Sequence, residues 1–302
     1  MNEVERIVEN ANKLNAHIDS VVFEKDGNII EWGGTETLHE LRSSAKLLVS
    51  MAYGIAIAKK MKCKDNKILT LDTKVYNTFK DLTKKLPPYV KNWTIRTLLT
   101  HSTGYEKMMM KASQIENIDK DKLLDYIFET STKYTVGEHF TYNNVEPYLL
   151  SVFFSKNFKM DISDFVKKEI FSPLEIKKYT WKKYGKYCAG ATGLYLNYKD
   201  FHKLGELILH YGMFNKKQVV PKDWIVEMTS PQIDCPDSYK PERVLPKIAA
   251  GYFVWISRDG IVFRDGAGGQ YIICDRKNDT LITLMSSEEH INLVTESLRG
   301  LI

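Results

Sequence analysis

Apolar positions along this chain follow two different periods. Near the two ends they alternate every second residue, as on half-buried strands, and between the ends they recur with helical spacing. Residues 1–16 open with an amphipathic helix pattern on Val4, Ile7, Val8, Ala11 and Leu14. Two β-rich runs follow, 21–25 and 28–32, and the Asp26-Gly27 between them predicts a tight hairpin. Gly33-Gly34 ends that unit, and the apolar run 47–58 predicts a buried helix. Residues 69–88 are irregular, with Pro87-Pro88 as a break. A short helix within 93–101, capped by Thr94 and stopped near Gly104, comes next. Further helices are predicted over 121–129, 145–158, 162–170, 198–211 and 222–229, with Pro173 closing the middle block and Gly212 ending the fourth. The alternating period returns in 252–256 and 261–263 around Arg258-Asp259-Gly260, and again in 271–274 and 280–285 around 276–279. An amphipathic segment, 291–298, ends the pattern.

Strands confined to the ends predict an α/β (α+β) fold: one antiparallel sheet built from N- and C-terminal strands, flanked by helices, with an inserted all-helical lobe. The predicted division is 1–60 with 180–302 as the α/β domain and 61–179 as the helical domain. With 43% hydrophobic residues in 302, the chain has ample material for a core, and long disorder is not expected. The net charge of +5 comes from 43 basic and 38 acidic residues that are interspersed, with no basic stripe interleaved with aromatics, so no nucleic-acid partner is predicted. No apolar run is long enough to span a bilayer, and the first helix lacks the apolar core of a signal peptide. Cys63, Cys188, Cys235 and Cys274 are scattered without metal-ligand spacing, which predicts reduced thiols and a cytoplasmic location. No metal or cofactor site is expected.

The candidate chemistry begins at Leu41-Arg42-Ser43-Ser44-Ala45-Lys46. A serine and a lysine three residues apart at a helix start share one face, so hydroxyl and amine can meet. The helix N-terminus adds free N–H groups and partial positive charge. Free lysine is protonated at neutral pH, with a pKa of about 10.4, so a buried, cation-rich setting is required before it can take a proton. Ser43 is read as the nucleophile and Lys46 as part of its base. One such spacing is expected on the order of once by chance in a chain this long, so other stretches must decide the matter.

Four stretches in order do so: the Ser43 segment, Thr94 to Gly104 (Thr-Ile-Arg-Thr-Leu-Leu-Thr-His-Ser-Thr-Gly), Phe140-Thr141-Tyr142-Asn143-Asn144, and Gly266-Ala267-Gly268-Gly269-Gln270. Together they resemble the serine β-lactamase-like superfamily, in particular class C β-lactamases, their family VIII esterase relatives and the 6-aminohexanoate-dimer hydrolase type of amidase. The similarity runs from about Val21 to Met285. It implies the β-lactamase/transpeptidase-like fold and an acyl-enzyme formed on the serine. The family's Tyr-x-Asn element matches Tyr142 and Asn144; a second match, Tyr195-Leu196-Asn197, is expected to be a packed aromatic. The resemblance implies that Tyr142 shares a proton with Ser43 and Lys46, either of Tyr142 and Lys46 being the formal base. It implies that Asn144 orients Lys46 or the substrate. It places the second oxyanion donor, beside the Ser43 N–H, at Gln270, after glycines that let substrate lie along the strand.

In penicillin-recognising relatives the last motif begins with a cation followed by a hydroxyl residue and glycine. Here those positions are read as Ala267, Gly268 and Gly269, which predicts weak or no β-lactamase activity and poor turnover of D-Ala-D-Ala peptides. Arg264, three residues earlier, is the alternative source of the charge. His101 is expected to pack or cap, His39 to lie at the surface or a strand end, and Trp32, Trp93 and Trp255 to line core or cleft. The reading is a serine hydrolase acting on a small ester or amide, without a membrane partner. The alternatives are an acyltransferase on the same scaffold, a β-lactamase or D-Ala-D-Ala peptidase-like enzyme, and a non-catalytic binding relative.

Overall fold

The structure is a computed structural model that describes residues 1–84 and 86–302. Helix α1 (Glu3–Lys13) starts with a reciprocal cap in which Asn2 and Glu5 each accept the other's backbone N–H. The hairpin β1 (Ser20–Lys25) and β2 (Asn28–Gly33) turns on Asp26 and Gly27, both with left-handed φ, as a two-residue loop of this hand demands. After β3 (His39–Glu40) a 3-10 turn, Arg42–Ala45, runs straight into α2 (Lys46–Ala58).

The middle of the chain is helical: α3 (Tyr76–Phe79), α4 (Ile95–Leu99), α5 (Ala112–Glu116), α6 (Leu123–Glu129), α7 (Val145–Phe158) and α8 (Ile162–Val166). Short strands β4 (Thr180–Trp181), β5 (Lys183–Tyr184), β6 (Tyr187–Cys188) and β7 (Leu194–Leu196) precede α9 (Tyr198–Leu209). The chain continues through β8 (Met213–Phe214), β9 (Lys217–Gln218), α10 (Lys222–Met228), β10 (Ile233–Asp234), β11 (Ala249–Ala250), β12 (Trp255–Ile256), β13 (Val262–Gly266), β14 (Gln270–Asp275) and β15 (Thr280–Met285) to α11 (Ile291–Glu296).

The main sheet has the order β10-β11-β12-β13-β14-β15-β1-β2 and is antiparallel throughout. Its closing pair joins the two ends of the chain, with Ser20 opposite Met285 and Lys25 opposite Thr280. Alternation along β1 sends Val21 and Phe23 into an apolar layer shared with α1 and α11. The other sheet face contributes Ile272, Cys274 and Leu281 to a second layer that runs on through α9 and α2 into α7 and α8. Helix α2 is buried from Lys46 to Ala56 and has no polar face, so it is the internal post of the molecule. Among the described residues no helix is long and apolar enough to cross a membrane, and the four cysteines are free thiols.

Three details depart from the sequence expectation. Small sheets β3-β7-β4, β5-β6 and β8-β9 lie between the helices, so strands are not confined to the ends. Runs of two or three residues are too short to register a period of two. Residues 252–254 leave the predicted strand because Phe253 takes a left-handed φ of 63°. Trp32 lies on the edge strand β2 and is 42% exposed rather than in core or cleft, whereas Trp93 and Trp255 are buried.

The crossing of α2 and α10 depends on one missing side chain: a Cβ at Gly54 would land inside the Trp224 ring. Gly54→Ala is expected to lower stability by about 1–3 kcal/mol through overpacking, against a helix-propensity gain of only about 1 kcal/mol. Urea unfolding measures it, and a midpoint at or above that of the wild type contradicts the packing argument.

Candidate active site

Ser43 is held in the 3-10 turn that joins β3 to α2, and the strand before it is fixed at several points. Leu41 N donates to Leu194 O at 2.8 Å. The Glu40 carboxylate accepts from Thr192 Oγ1 at 2.9 Å and Gly193 N at 3.0 Å and pairs with Arg42. Gly266 of β13 comes so close to this turn that a Cβ would strike the Leu41 carbonyl. One turn on, Lys46 points its fully buried amine back toward Ser43.

The Lys46 ammonium has three protons and finds three acceptors: Ser43 Oγ at 3.2 Å, Tyr142 OH at 2.9 Å and Asn144 Oδ1 at 2.7 Å. Tyr142 and Asn144 arrive on the segment leading into α7. Asn143 anchors that segment, its Oδ1 accepting from Met109 N and its Nδ2 donating to Lys107 O. Asn144 Nδ2 donates to Met110 O at 3.0 Å, which fixes the amide so that its oxygen faces Lys46.

A second cation enters from β13. Arg264, buried in β13, donates through Nε and Nη2 to Ser43 O at 3.0 and 2.7 Å. Its Nη2 also donates to Tyr142 OH at 2.9 Å. Behind it, the Asp265 carboxylate accepts from Lys247 Nζ at 2.7 Å and Trp255 Nε1 at 2.8 Å, and the Trp255 ring stacks on Tyr142 at 5.7 Å. Lys247 and then Arg264 outweigh the cost of burial and hold the Asp265 carboxyl well below the usual carboxylate range.

These neighbours set the proton positions. Burial alone pushes the Tyr142 phenol up, but the Arg264 and Lys46 cations outweigh it and bring the phenol down to about 7. Burial is the main cause that lowers Lys46, with Arg264 adding to it and Tyr142 opposing, to about 8. His101 belongs to the wall: its Nδ1 lies 3.1 Å from Glu146 Oε2, and its ring packs at 5.2 Å from Tyr142 and 4.8 Å from Phe253. Burial lowers its pKa, against the pull of Glu146.

A family model described as Beta-lactamase matches residues 19–297. The chain belongs to the Beta-lactamase family. Solved structures agree in fold. EstCE1, described as a hydrolase with promiscuous acyltransferase activity, superposes with a TM-score of 0.75 at 12% identity, covering 99% of this chain and 98% of its own. A penicillin binding protein from Bacillus halodurans gives 0.74 at 15%, with 98% and 100% covered. An octameric penicillin-binding protein homologue from Pyrococcus abyssi gives 0.74 at 19%, with 98% and 76% covered. No curated protein matches at a significant level. The family makes this chain a β-lactamase-related serine hydrolase.

In this β-lactamase-family chain, Ser43, Lys46, Tyr142 and Asn144 form one hydrogen-bonded cluster. Ala267, Gly268 and Gln270 lie in a neighbouring open groove of ≈ 560 Å³, together with Arg42, Tyr195 and Glu288. Tyr195 is therefore half-buried on a groove wall, and His39 lies in β3 at the same groove. Gly269 turns back from it, since a Cβ there would meet Ser286 and Val294. Gln270 is in register opposite Gly266, and its side-chain amide is bonded to Ser286. Among the described residues the backbone N–H groups of Ser43 and Ala267 have no backbone partner. Sequence reasoning missed Asp265, Lys247 and Trp255 as the support behind Arg264. The available signal was a charged pair, Arg264-Asp265, following Val262-Phe263 in a strand.

Ultraviolet titration tests the electrostatics. One tyrosine is expected to ionise near 7 and to disappear from the curve in Tyr142→Phe. Arg264→Gln removes a cation beside the phenolate, so the same titration moves upward. If every tyrosine of the wild type titrates at or above the ordinary value of about 10, the reading of this cluster is wrong.

Proposed function

We propose that the chain cleaves a small ester or amide through an acyl-enzyme on Ser43, with Tyr142 as phenolate in the resting state. The observation that carries this reading is the pair of cations, Lys46 and Arg264, donating to one phenol oxygen beside the serine. Ser43 Oγ bonds to the substrate carbonyl carbon as its proton passes to the Tyr142 phenolate. The phenol then gives that proton to the leaving alcohol or amine as the scissile C–O or C–N bond breaks. Water attacks the acyl-enzyme by the same route in reverse, with Tyr142 again taking and returning the proton. Asn144 holds Lys46 in place, and Lys46 and Arg264 stabilise the phenolate without leaving their positions.

The carbonyl oxygen takes negative charge during both steps and needs donors already in place. The Ser43 N–H is one. The free N–H of Ala267 suits the second better than Gln270, whose backbone lies in the β13–β14 register. Carboxylate-bearing β-lactams are disfavoured on two counts. Two nitrogens of Arg264 are committed to Ser43 O and Tyr142 OH, and Glu40, Glu288 and Glu289 line the adjoining groove. An acyl-enzyme here can also be relieved by an added alcohol or amine in place of water, which product partition would reveal.

Four measurements test the proposal. A fluorophosphonate probe should add its mass at Ser43, and Ser43→Ala should carry no adduct. Tyr142→Phe is expected to slow acylation by roughly 10²–10⁴-fold; an unchanged rate removes Tyr142 from the mechanism. The rate should rise with pH as the phenol deprotonates near 7 and fall as Lys46 loses its proton near 8, apparent values that belong to the coupled pair. Nitrocefin should turn over far more slowly than short-chain p-nitrophenyl esters, and comparable turnover overturns the substrate assignment.

A further inference from the structure

Away from Ser43, four ionisable side chains meet between α9 and β1. His202, Glu206 and His210 recur every fourth residue, so they lie along one stripe of α9 and its C-terminal cap. Glu24 of β1 lies against that stripe: one carboxylate oxygen is 3.2 Å from His202 Nε2 and the other 3.3 Å from His210 Nε2. His202 Nδ1 in turn lies 3.0 Å from Thr283 Oγ1 on β15. Glu24 and His202 are buried, whereas Glu206 and His210 are only part-buried. Donor atoms of Glu24, Glu206 and His210 all lie within 4.8 Å of one another.

The cluster is short of positive charge. Two carboxylates share it, and Glu206 accepts no side-chain hydrogen bond and makes no ion pair among the described residues, whereas Glu24 has two imidazoles. A divalent cation between the two carboxylates would neutralise both. Mixed imidazole and carboxylate donors suit zinc, which holds them at about 2.0–2.2 Å. Tetrahedral donors at that radius stand about 3.3 Å apart, a contraction that torsions of the part-exposed Glu206 and His210 can supply.

We propose that Glu24, Glu206 and His210 bind a zinc ion, with water as the fourth ligand and His202 orienting the Glu24 carboxylate. Thr283 fixes the His202 ring, the outer-shell arrangement that metal-ligating carboxylates require. The site shares no residue with the Ser43 cluster, and its effect is to fasten the C-terminal end of α9 to the sheet.

The test uses the full chain stripped with a chelator and titrated with zinc chloride against a chromophoric competitor. One zinc per chain should bind with micromolar or tighter affinity and raise the melting temperature. Glu206→Gln and His210→Gln should each weaken binding roughly ten-fold or more and lose the thermal shift, while still unfolding cooperatively and labelling at Ser43. His17→Gln, which alters a surface His–Asp pair, should leave zinc affinity unchanged. No stoichiometric uptake at micromolar zinc overturns the assignment. So does binding that is equal in both cluster variants, or that is lost only in His17→Gln.

Discussion

A lysine ammonium taken wholly out of water must be given acceptors for all its protons, and the architecture around Ser43 follows from meeting that demand. Lys46 sits at the first position of a helix buried on every side, where its charge is fully desolvated. Each of its three acceptors comes from a different constraint: the turn that precedes the helix, the aromatic ring before α7, and an amide locked by the Met110 carbonyl. The same geometry that satisfies the amine brings hydroxyl and phenol to a common centre. The hydrogen bonds that satisfy the buried amine are thus the ones that gather hydroxyl and phenol.

The strand side supplies the complement. A single ammonium offsets only part of what burial does to a phenol, and Arg264 adds the second charge through a rigid fork that also grips the serine's own carbonyl. Arg264 is in turn balanced by Asp265, which Lys247 and Trp255 hold ionised. Charge therefore alternates outward from the phenol oxygen, positive, negative, positive, until it reaches half-buried Lys247. Removing Asp265 would leave the buried Arg264 without its carboxylate counter-charge.

Much of this was legible in the chain itself. The helix over 145–158 and the hairpin around Asp26-Gly27 lie where the pattern put them, whereas of the strand expected over 252–256 the structure keeps only Trp255–Ile256. Ser43 and Lys46 were marked by their spacing, and Tyr142 and Asn144 by the resemblance that the four ordered stretches carry. The last motif was harder. Reading the cation position at Ala267 counted from the glycines, yet Arg264, three residues earlier, is the residue whose guanidinium reaches the phenol. Alternation in a strand shows which face a residue takes but not how far along the strand the serine turn lies. Strands of two residues, and the meeting of Glu24 with a helix nearly two hundred residues later, leave no local pattern to read.

The pairing of β1 with β15 bears on when the molecule becomes competent. Ser20 cannot meet Met285 until the long segment between them has been made, and ordering contacts so distant in sequence is slow. Arg264 belongs to the same late-arriving sheet. Ser43, Lys46 and Tyr142 all precede Arg264 along the chain, so the guanidinium is the last member of the cluster to be made.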